Sequence, residues 1–373
     1  MLPRTITRNF SINSRLMVSF NAKAIVYNEH GEPKDVLKSH SYTLSSENLK
    51  PDEVILQTLA SPINPSDINQ IQGIYPSKPP ISIESLPELE SAAAVCGNEG
   101  LFKVVAKGSN VADLEINDWC IPSSVNFGTW CSYRLANKAQ LMKMPKTISK
   151  EQAATIAVNP SSAYQMLTMY EKLSPGDWFI QNGGTSQVGR AAIQIGKKLG
   201  LNSISIVRDR DDIDATIAEL KALGATQVIT ETQNNSKDFG PTIKSWLDGK
   251  TIKLGLNCVG GSSATGLARK LGSDATMLTY GAMSMKPVSL PTSLFIFKNL
   301  TAKGFWITEN IKRDPSSRKT TIDAVLKLME DGDLVDAKPC ENIIQSDSVS
   351  NDEFAATFYK SLGSKGKQLI VFQ

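Results

Sequence analysis

The stretch Gln181-Asn182-Gly183-Gly184-Thr185-Ser186-Gln187-Val188-Gly189 concentrates glycines and small hydroxyl residues between two patterned segments. Small residues let a backbone approach a pyrophosphate closely, and free N–H groups at the start of a helix favour its negative charge. The spacing is not a strict G-x-G-x-x-G, so the flanks carry the meaning. DWFIQN before the turn predicts a strand, and VGRAAIQIGKKLG after it predicts a helix. The next apolar run, SISIV, ends in Arg208-Asp209-Arg210, which begins 24 residues after Gly184. In a nucleotide-binding unit this position meets the adenosine ribose. A carboxylate there holds the 2′-hydroxyl of NAD, whereas arginines suit the 2′-phosphate of NADP. Two arginines around one carboxylate predict NADPH; the alternative is that Asp209 selects NAD while the arginines are solvated.

Two other positions could do chemistry. Gly73-Ile74-Tyr75-Pro76 sets a tyrosine beside a proline, a common place for an aromatic that packs at a turn, and also for a hydroxyl that can donate. Asn159-Pro160 interrupts an Ala-rich helical pattern, where a polar side chain either caps or serves a site. Metal chemistry has little to work with. Cys96, Cys120, Cys131, Cys258 and Cys340 are scattered without a C-x-x-C pair and read as small core residues of a reduced compartment. His30 and His40 are the only histidines, so a zinc hydrolase or a Ser-His-Asp enzyme would have to be built on one of them.

The elements that must position these residues follow from periodicity. Residues 21 to about 144 read as short strands between Pro and Gly turns (AKAIVY, EVILQTLASPI, LFKVVAKG, DWCIP, TWCSYRL), a largely antiparallel β domain. SKEQAATIAV predicts a helix that breaks at Asn159-Pro160 and resumes as SSAYQMLTMYEKL. Five apolar runs then alternate with amphipathic helices, the signature of a parallel sheet covered on both faces. TTIDAVLKLMEDG and NDEFAATFYKSL predict surface helices, and KQLIVF a final strand that returns to the first domain. The expected units are a leader over 1–17, a β-rich domain over 18–158, a doubly wound nucleotide domain over 159–305 and a return segment over 306–373.

The 373 residues suit two such domains, with 41% hydrophobic and 21% charged residues, an ordinary globular balance. Lys and Arg exceed Asp and Glu by three, and Arg4, Arg8 and Arg15 stand ahead of the first carboxylate, Glu29. The rest of the chain is therefore neutral, which argues against a nucleic-acid-binding protein, since phosphate recognition needs clustered Lys and Arg. Leu2, Ile6 and Phe10 share one face of a potential helix opposite the arginines, the profile of a mitochondrial transit peptide. No run approaches the roughly 18 apolar residues of a membrane helix.

The order of β-rich domain, nucleotide domain with GGTSQVG and returning C-terminal segment resembles the medium-chain dehydrogenase/reductase superfamily. More narrowly, INPSDINQIQGIYP, GNEG, NFGTW, WFIQNGGTSQVG, IVRDR, TETQNN, LNCVGG, LTYGAMS and PTSLFIFKNLTAKGFWIT resemble the mitochondrial trans-2-enoyl-thioester reductases of the yeast type. The resemblance covers nearly the whole chain after about residue 21. It implies a zinc-free fold with a GroES-like β-rich catalytic domain and a Rossmann nucleotide-binding domain. Gly97-Asn98-Glu99-Gly100 stands where zinc alcohol dehydrogenases carry a metal-ligating histidine in G-H-E. A double bond conjugated to a thioester needs no Lewis acid: hydride at C3 pushes charge onto the thioester oxygen, which a hydrogen-bond donor can stabilise before C2 is protonated.

The resemblance further implies that Tyr75 is that donor, because the reductases' catalytic tyrosine lies in the matching G-x-Y-P motif. It places Asn159 near the nicotinamide, Gly184, Thr185, Ser186, Gln187 and Val188 at the phosphates, and Arg208, Asp209 and Arg210 at the ribose end. Tyr280, Gly281, Ala282 and Met283 would line the nicotinamide pocket with Phe305, Trp306 and Ile307, and Lys367 would lie close to the cofactor. Ala282 departs from the glycine frequent in related reductases, and the acidic stretch from Ile83 to Glu90 departs from their loop after the tyrosine. The implied function is NADPH-dependent reduction of enoyl thioesters on acyl carrier protein or coenzyme A by a homodimer in the mitochondrial matrix. A zinc-free quinone oxidoreductase is the competing reading.

Overall fold

The computed structural model describes residues 18–335, 339–345 and 349–373, so the expected leader over 1–17 lies outside the described residues. The N-terminal part contains β1 (Ser19–Tyr27), β2 (Lys38–Ser45), β3 (Glu53–Ile63), β4 (Ala94–Val95), β5 (Leu101–Lys107), β6 (Trp119–Pro122), β7 (Tyr133–Asn137) and β8 (Leu141–Met144). β1 pairs antiparallel with β2 on one side and β4 on the other. β3 is the spine of the larger sheet: eleven residues, buried from Val54 to Ile63 except at half-buried Gln57, pairing antiparallel with β5 and β7. Its near-continuous apolar run suits a strand covered on both faces.

The second half carries β9 (Trp178–Gln181), β10 (Asn202–Val207), β11 (Gln227–Thr230), β12 (Ile252–Asn257), β13 (Thr276–Thr279) and β14 (Thr301–Gly304). All pair in parallel in the order β11-β10-β9-β12-β13-β14. Counted from β9 this is the 3-2-1-4-5-6 order of a doubly wound dinucleotide-binding sheet, with its switch point between β9 and β12. The chain then returns: β15 (Cys340–Ile344) pairs parallel with β16 (Gln368–Phe372), and β16 adds antiparallel to β3. Helix Asn351–Leu362 covers this corner, burying Phe354 and Phe358 against Trp130 and Phe372.

Several expectations need correction. β2, β14 and β15 have too few apolar residues to announce themselves, and β8, Leu-Met-Lys-Met, is only four residues long. β2 buries only Tyr42 and Leu44, and β14, the edge of the parallel sheet, reads Thr-Ala-Lys-Gly with no buried side chain. The parallel sheet therefore has six strands rather than five. Of the expected TWCSYRL segment only Tyr133, Arg134 and Leu135 belong to a strand, β7, which runs on to Asn137. The helical stretch after Ser149 breaks over Ile156 to Val158, and Asn159 begins the second helix, which ends at Thr168 rather than continuing to Leu173. Pro160 sits in the first turn of that helix, where its missing N–H costs no intrahelical bond. Cys340 is exposed, whereas the other four cysteines are buried.

Phe354 is fully buried between Phe358 and Phe372, with ring centroids 5.5 and 6.2 Å away. Phe354→Ala should destabilise the chain by about 3–5 kcal/mol through lost burial and the cavity left behind. Urea denaturation of the full chain measures it.

Candidate active site

The carboxyl ends of the parallel strands bring most of the expected cofactor residues to one crevice. The turn after β9 runs into helix Gln187–Lys198, with Ser186 as its N-cap, the hydroxyl accepting from the Gly189 N–H at 3.1 Å. The N–H groups of Thr185, Gln187 and Val188 have no acceptor among the described residues, which leaves three donors at a helix start. A side chain at Gly184 would lie 3.0 Å from Ser205 Cβ of the adjacent strand, and one at Gly189 would meet the Gly183 and Gly184 carbonyl oxygens at 2.7 and 2.9 Å. Here glycine is a steric requirement, because turn, strand and helix must touch for the donors to face outward. Buried Asn182 ties the turn to the next strand by donating to Asn257 Oδ1 and Ser263 Oγ and accepting from the Cys258 N–H.

Arg208, Asp209 and Arg210 follow β10 on the same side. The Asp209 carboxylate accepts from the Thr232 N–H at 3.1 Å. Desolvation acts to raise its pKa, but hydrogen bonds from Thr230 and Thr232 outweigh it and hold the group below the usual carboxylate range. Asp209 is thus committed to the short helix Glu231–Asn235 that follows β11, while Arg208 stands exposed and Arg210 makes a 4.0 Å contact with Asp212. Two guanidinium groups with a carboxylate turned away suit a 2′-phosphate better than a 2′-hydroxyl. After β13, Tyr280 donates its N–H to Asn257 O, Gly281 lies against Cys258, and the Met283 N–H bonds to Cys258 O. Ala282 and Met283 are exposed. After β14, buried Phe305 bonds back to Thr279 O, and Trp306 and Ile307 open the following helix.

Trp306 and Tyr75, 231 positions apart, meet there. The indole Nε1 donates to the Tyr75 hydroxyl at 2.7 Å, and the rings cross edge to face with centroids 5.7 Å apart. Burial raises the Tyr75 pKa; the Trp306 hydrogen bond opposes the rise and the nearby Asp67 carboxylate adds to it. The hydroxyl therefore stays protonated and can still donate while accepting from Trp306.

Behind Tyr75 lies a buried polar cluster that the residue patterns did not single out as a site. Asp67 and Glu99 are 1% and 2% exposed. Asp67 accepts from the Asn64 N–H at 2.7 Å and from Asn98 Nδ2 at 2.6 Å. Glu99 accepts from Asn64 Nδ2 and from the Val158 N–H, both at 2.8 Å. Asn64 Oδ1 accepts from Lys367 Nζ at 2.5 Å and from Asn159 Nδ2 at 3.4 Å. Lys367 also donates to Ile63 O. Burial raises the Asp67 pKa, pushes Glu99 up to about 7 and lowers Lys367. Lys367 and Asn159, expected separately at the cofactor, are thus joined through Asn64. The sequence signal was present in INPSD and GNEG, but no periodicity says that these two segments meet. No group of three or more potential metal ligands occurs among the described residues.

A family model described as zinc-binding dehydrogenase matches residues 188–330. The mitochondrial enoyl-acyl-carrier-protein reductase 2 of Candida tropicalis is 51% identical over 97% of this chain and 98% of its own length. The chain belongs to the mitochondrial enoyl-acyl-carrier-protein reductases. Among solved structures, an Etr1p complex with NADP and crotonyl-CoA is 51% identical, with a TM-score of 0.91 over 94% of this chain and 100% of that one. The Etr1p/Etr2p heterodimer of the mitochondrial 2-enoyl thioester reductase from Candida tropicalis is 52% identical over the same shares, again with a TM-score of 0.91. In this family member, Trp306→Phe removes the donor that lowers the Tyr75 pKa, so the tyrosine should titrate at higher pH. Ultraviolet difference titration against a Tyr75→Phe background isolates the shift.

Proposed function

We propose that this chain reduces trans-2-enoyl thioesters to acyl thioesters with NADPH, the carrier being acyl carrier protein or coenzyme A. The observation that carries the reading is the Tyr75 hydroxyl, kept protonated by burial and oriented by Trp306 at 2.7 Å beside the carboxyl ends of β13 and β14. When bound, NADPH supplies the hydride that adds to C3 of the substrate. Tyr75 donates to the thioester oxygen as charge develops there, or delivers the proton to C2 directly or through water. Trp306 fixes the hydroxyl direction. The Thr185, Gln187 and Val188 N–H groups take the pyrophosphate, Arg208 and Arg210 the 2′-phosphate, and Gly184 and Ser186 shape the turn. Asn159, Lys367, Phe305, Ile307 and residues 280–283 border the nicotinamide end. The residues fit the dinucleotide because the glycine turn packs against its strand and helix and leaves the Thr185, Gln187 and Val188 N–H groups without a protein acceptor among the described residues.

The units we assign are the β-rich catalytic domain over 18–158, the nucleotide domain over 159–305 and the returning segment over 306–373. We assign the protein to mitochondria and, more finely, to the matrix. Phe295, Ile296 and Phe297 are 42%, 67% and 79% exposed on helix Thr292–Lys298, directly before edge strand β14. Three consecutive exposed apolar residues beside an unpaired edge support a homodimer formed along this side. No helix among the described residues is long and apolar enough to cross a membrane, and no nucleic-acid partner is expected of a neutral body.

A zinc-free quinone oxidoreductase shares this fold and cofactor chemistry, but the Gly73-Ile74-Tyr75-Pro76 motif favours the enoyl reductase. NADPH oxidation should therefore be followed with medium-chain trans-2-enoyl thioesters beside a quinone, and activity with the quinone alone overturns the assignment. Tyr75→Phe should lower kcat about 100-fold or more, within the usual range for a lost general acid, with NADPH affinity nearly unchanged. Replacing Arg208 and Arg210 together by Ala should raise KM for NADPH at least tenfold more than KM for NADH; equal effects would remove their 2′-phosphate role.

A further inference from the structure

The Asn64 side-chain amide has one orientation that satisfies its neighbours. Its Nδ2 faces Glu99 Oε2, and its Oδ1 faces both the Lys367 ammonium and the Asn159 amide. The other Glu99 oxygen is occupied by the Val158 N–H, the residue before the helix that carries Asn159. An ionised carboxylate can only accept, so Glu99 offers two acceptors to two donors and thereby turns the Asn64 oxygen toward Lys367. We propose that Glu99 is a positioning residue of the reductase: through Asn64 and Val158 it holds the Lys367 ammonium and the Asn159 amide at the nicotinamide end of the cofactor site. This rests on the placement of Lys367 and Asn159 at that end.

The charged groups facing Glu99 come from three other segments. Lys367 at the start of β16 favours its ionised form, Asp67 on helix Pro65–Ile71 opposes it, and Arg318, 7% exposed on helix Ser316–Glu330, adds a further positive charge. Burial outweighs the attractions and leaves the carboxyl titrating near 7. Protonation at Oε2 would set an O–H against the Asn64 N–H. The amide would have to flip, turning Nδ2 toward the Lys367 ammonium, donor against donor. Protonation at Oε1 would instead displace the Val158 N–H. The productive arrangement therefore belongs to the ionised form, present at alkaline pH and lost as the pH falls through about 7.

The test is the Kd for NADPH, read by fluorescence from pH 6 to 8.5 on the full chain, alongside kcat and KM. Wild type should bind more weakly on the acid side with a midpoint near 7. Glu99→Gln cannot supply two acceptors and should bind about tenfold more weakly at pH 8, with that limb flattened. Lys367→Met, which removes the group Glu99 acts through, should also lose the limb, whereas titration of the cofactor's own phosphate would leave it in place. Ser61→Ala removes a hydroxyl that bonds the Glu99 main-chain oxygen at 2.8 Å and leaves the carboxylate alone, so it should lower Tm and keep the limb. A folded Glu99→Gln with wild-type affinity and an intact limb overturns the proposal. Should that variant not fold, persistence of the limb in Lys367→Met overturns it. Wild type that fails to bind NADPH overturns the functional reading as well, whereas NADPH binding with Glu99→Gln unchanged removes only the positioning role.

Discussion

Burying two carboxylates and an ammonium in one small volume is the constraint on which the β-rich half of the molecule depends. Each isolated charge costs several kcal/mol to remove from water, and the cost is offset only when every one finds hydrogen-bonded partners. Asp67, Glu99 and Lys367 find theirs in Asn64, Asn98, Val158 and one another. Those partners come from the end of β3, the loop before β5, the start of the Asn159 helix and the start of β16. The cluster cannot be satisfied unless the last strand of the chain pairs with the third, so assembly of the cluster and that pairing depend on one another.

The parallel sheet imposes a second, simpler condition. Its strands all end on one side, and the 3-2-1-4-5-6 order opens a crevice where the winding reverses. Glycines at 184 and 189 let the turn sit against β10 and against its own helix, and Asn182 locks it to β12. The turn is thereby held rigid while its N–H groups remain open. Asp209, after β10, is tied to the Thr232 N–H, while Arg208 beside it stands exposed.

The two halves meet at Tyr75 and Trp306. Tyr75 lies in a loop after a seven-residue helix, its backbone N–H tied to Asn69 O of that helix. An indole at the end of the sixth parallel strand sets its hydroxyl, and the Asp67 charge behind it helps keep the proton in place. Hydride delivery at one substrate carbon and protonation at its neighbour demand that groups from both halves share one geometry.

Much of this architecture was legible in the residues themselves. The glycine turn and the strand and helix on either side carry local chemistry, and each has its meaning within a few positions of sequence. The edge strands β2, β8, β14 and β15 were not legible, because a short or weakly apolar edge strand is held by backbone pairing that leaves no periodic trace. The Glu99–Asn64–Lys367 chain was also hidden, since its members stand at positions 64, 99 and 367 and are joined only by folding. Sequence alone determined the fold class through the order of its elements and the cofactor preference through a short arginine motif, while Tyr75 became the candidate acid only through its resemblance to the reductases' G-x-Y-P motif. Tertiary structure decided which way Asp209 turns, what orients Tyr75 and what holds Lys367, because a hydrogen bond's direction and a charge's burial exist only once distant segments are in contact.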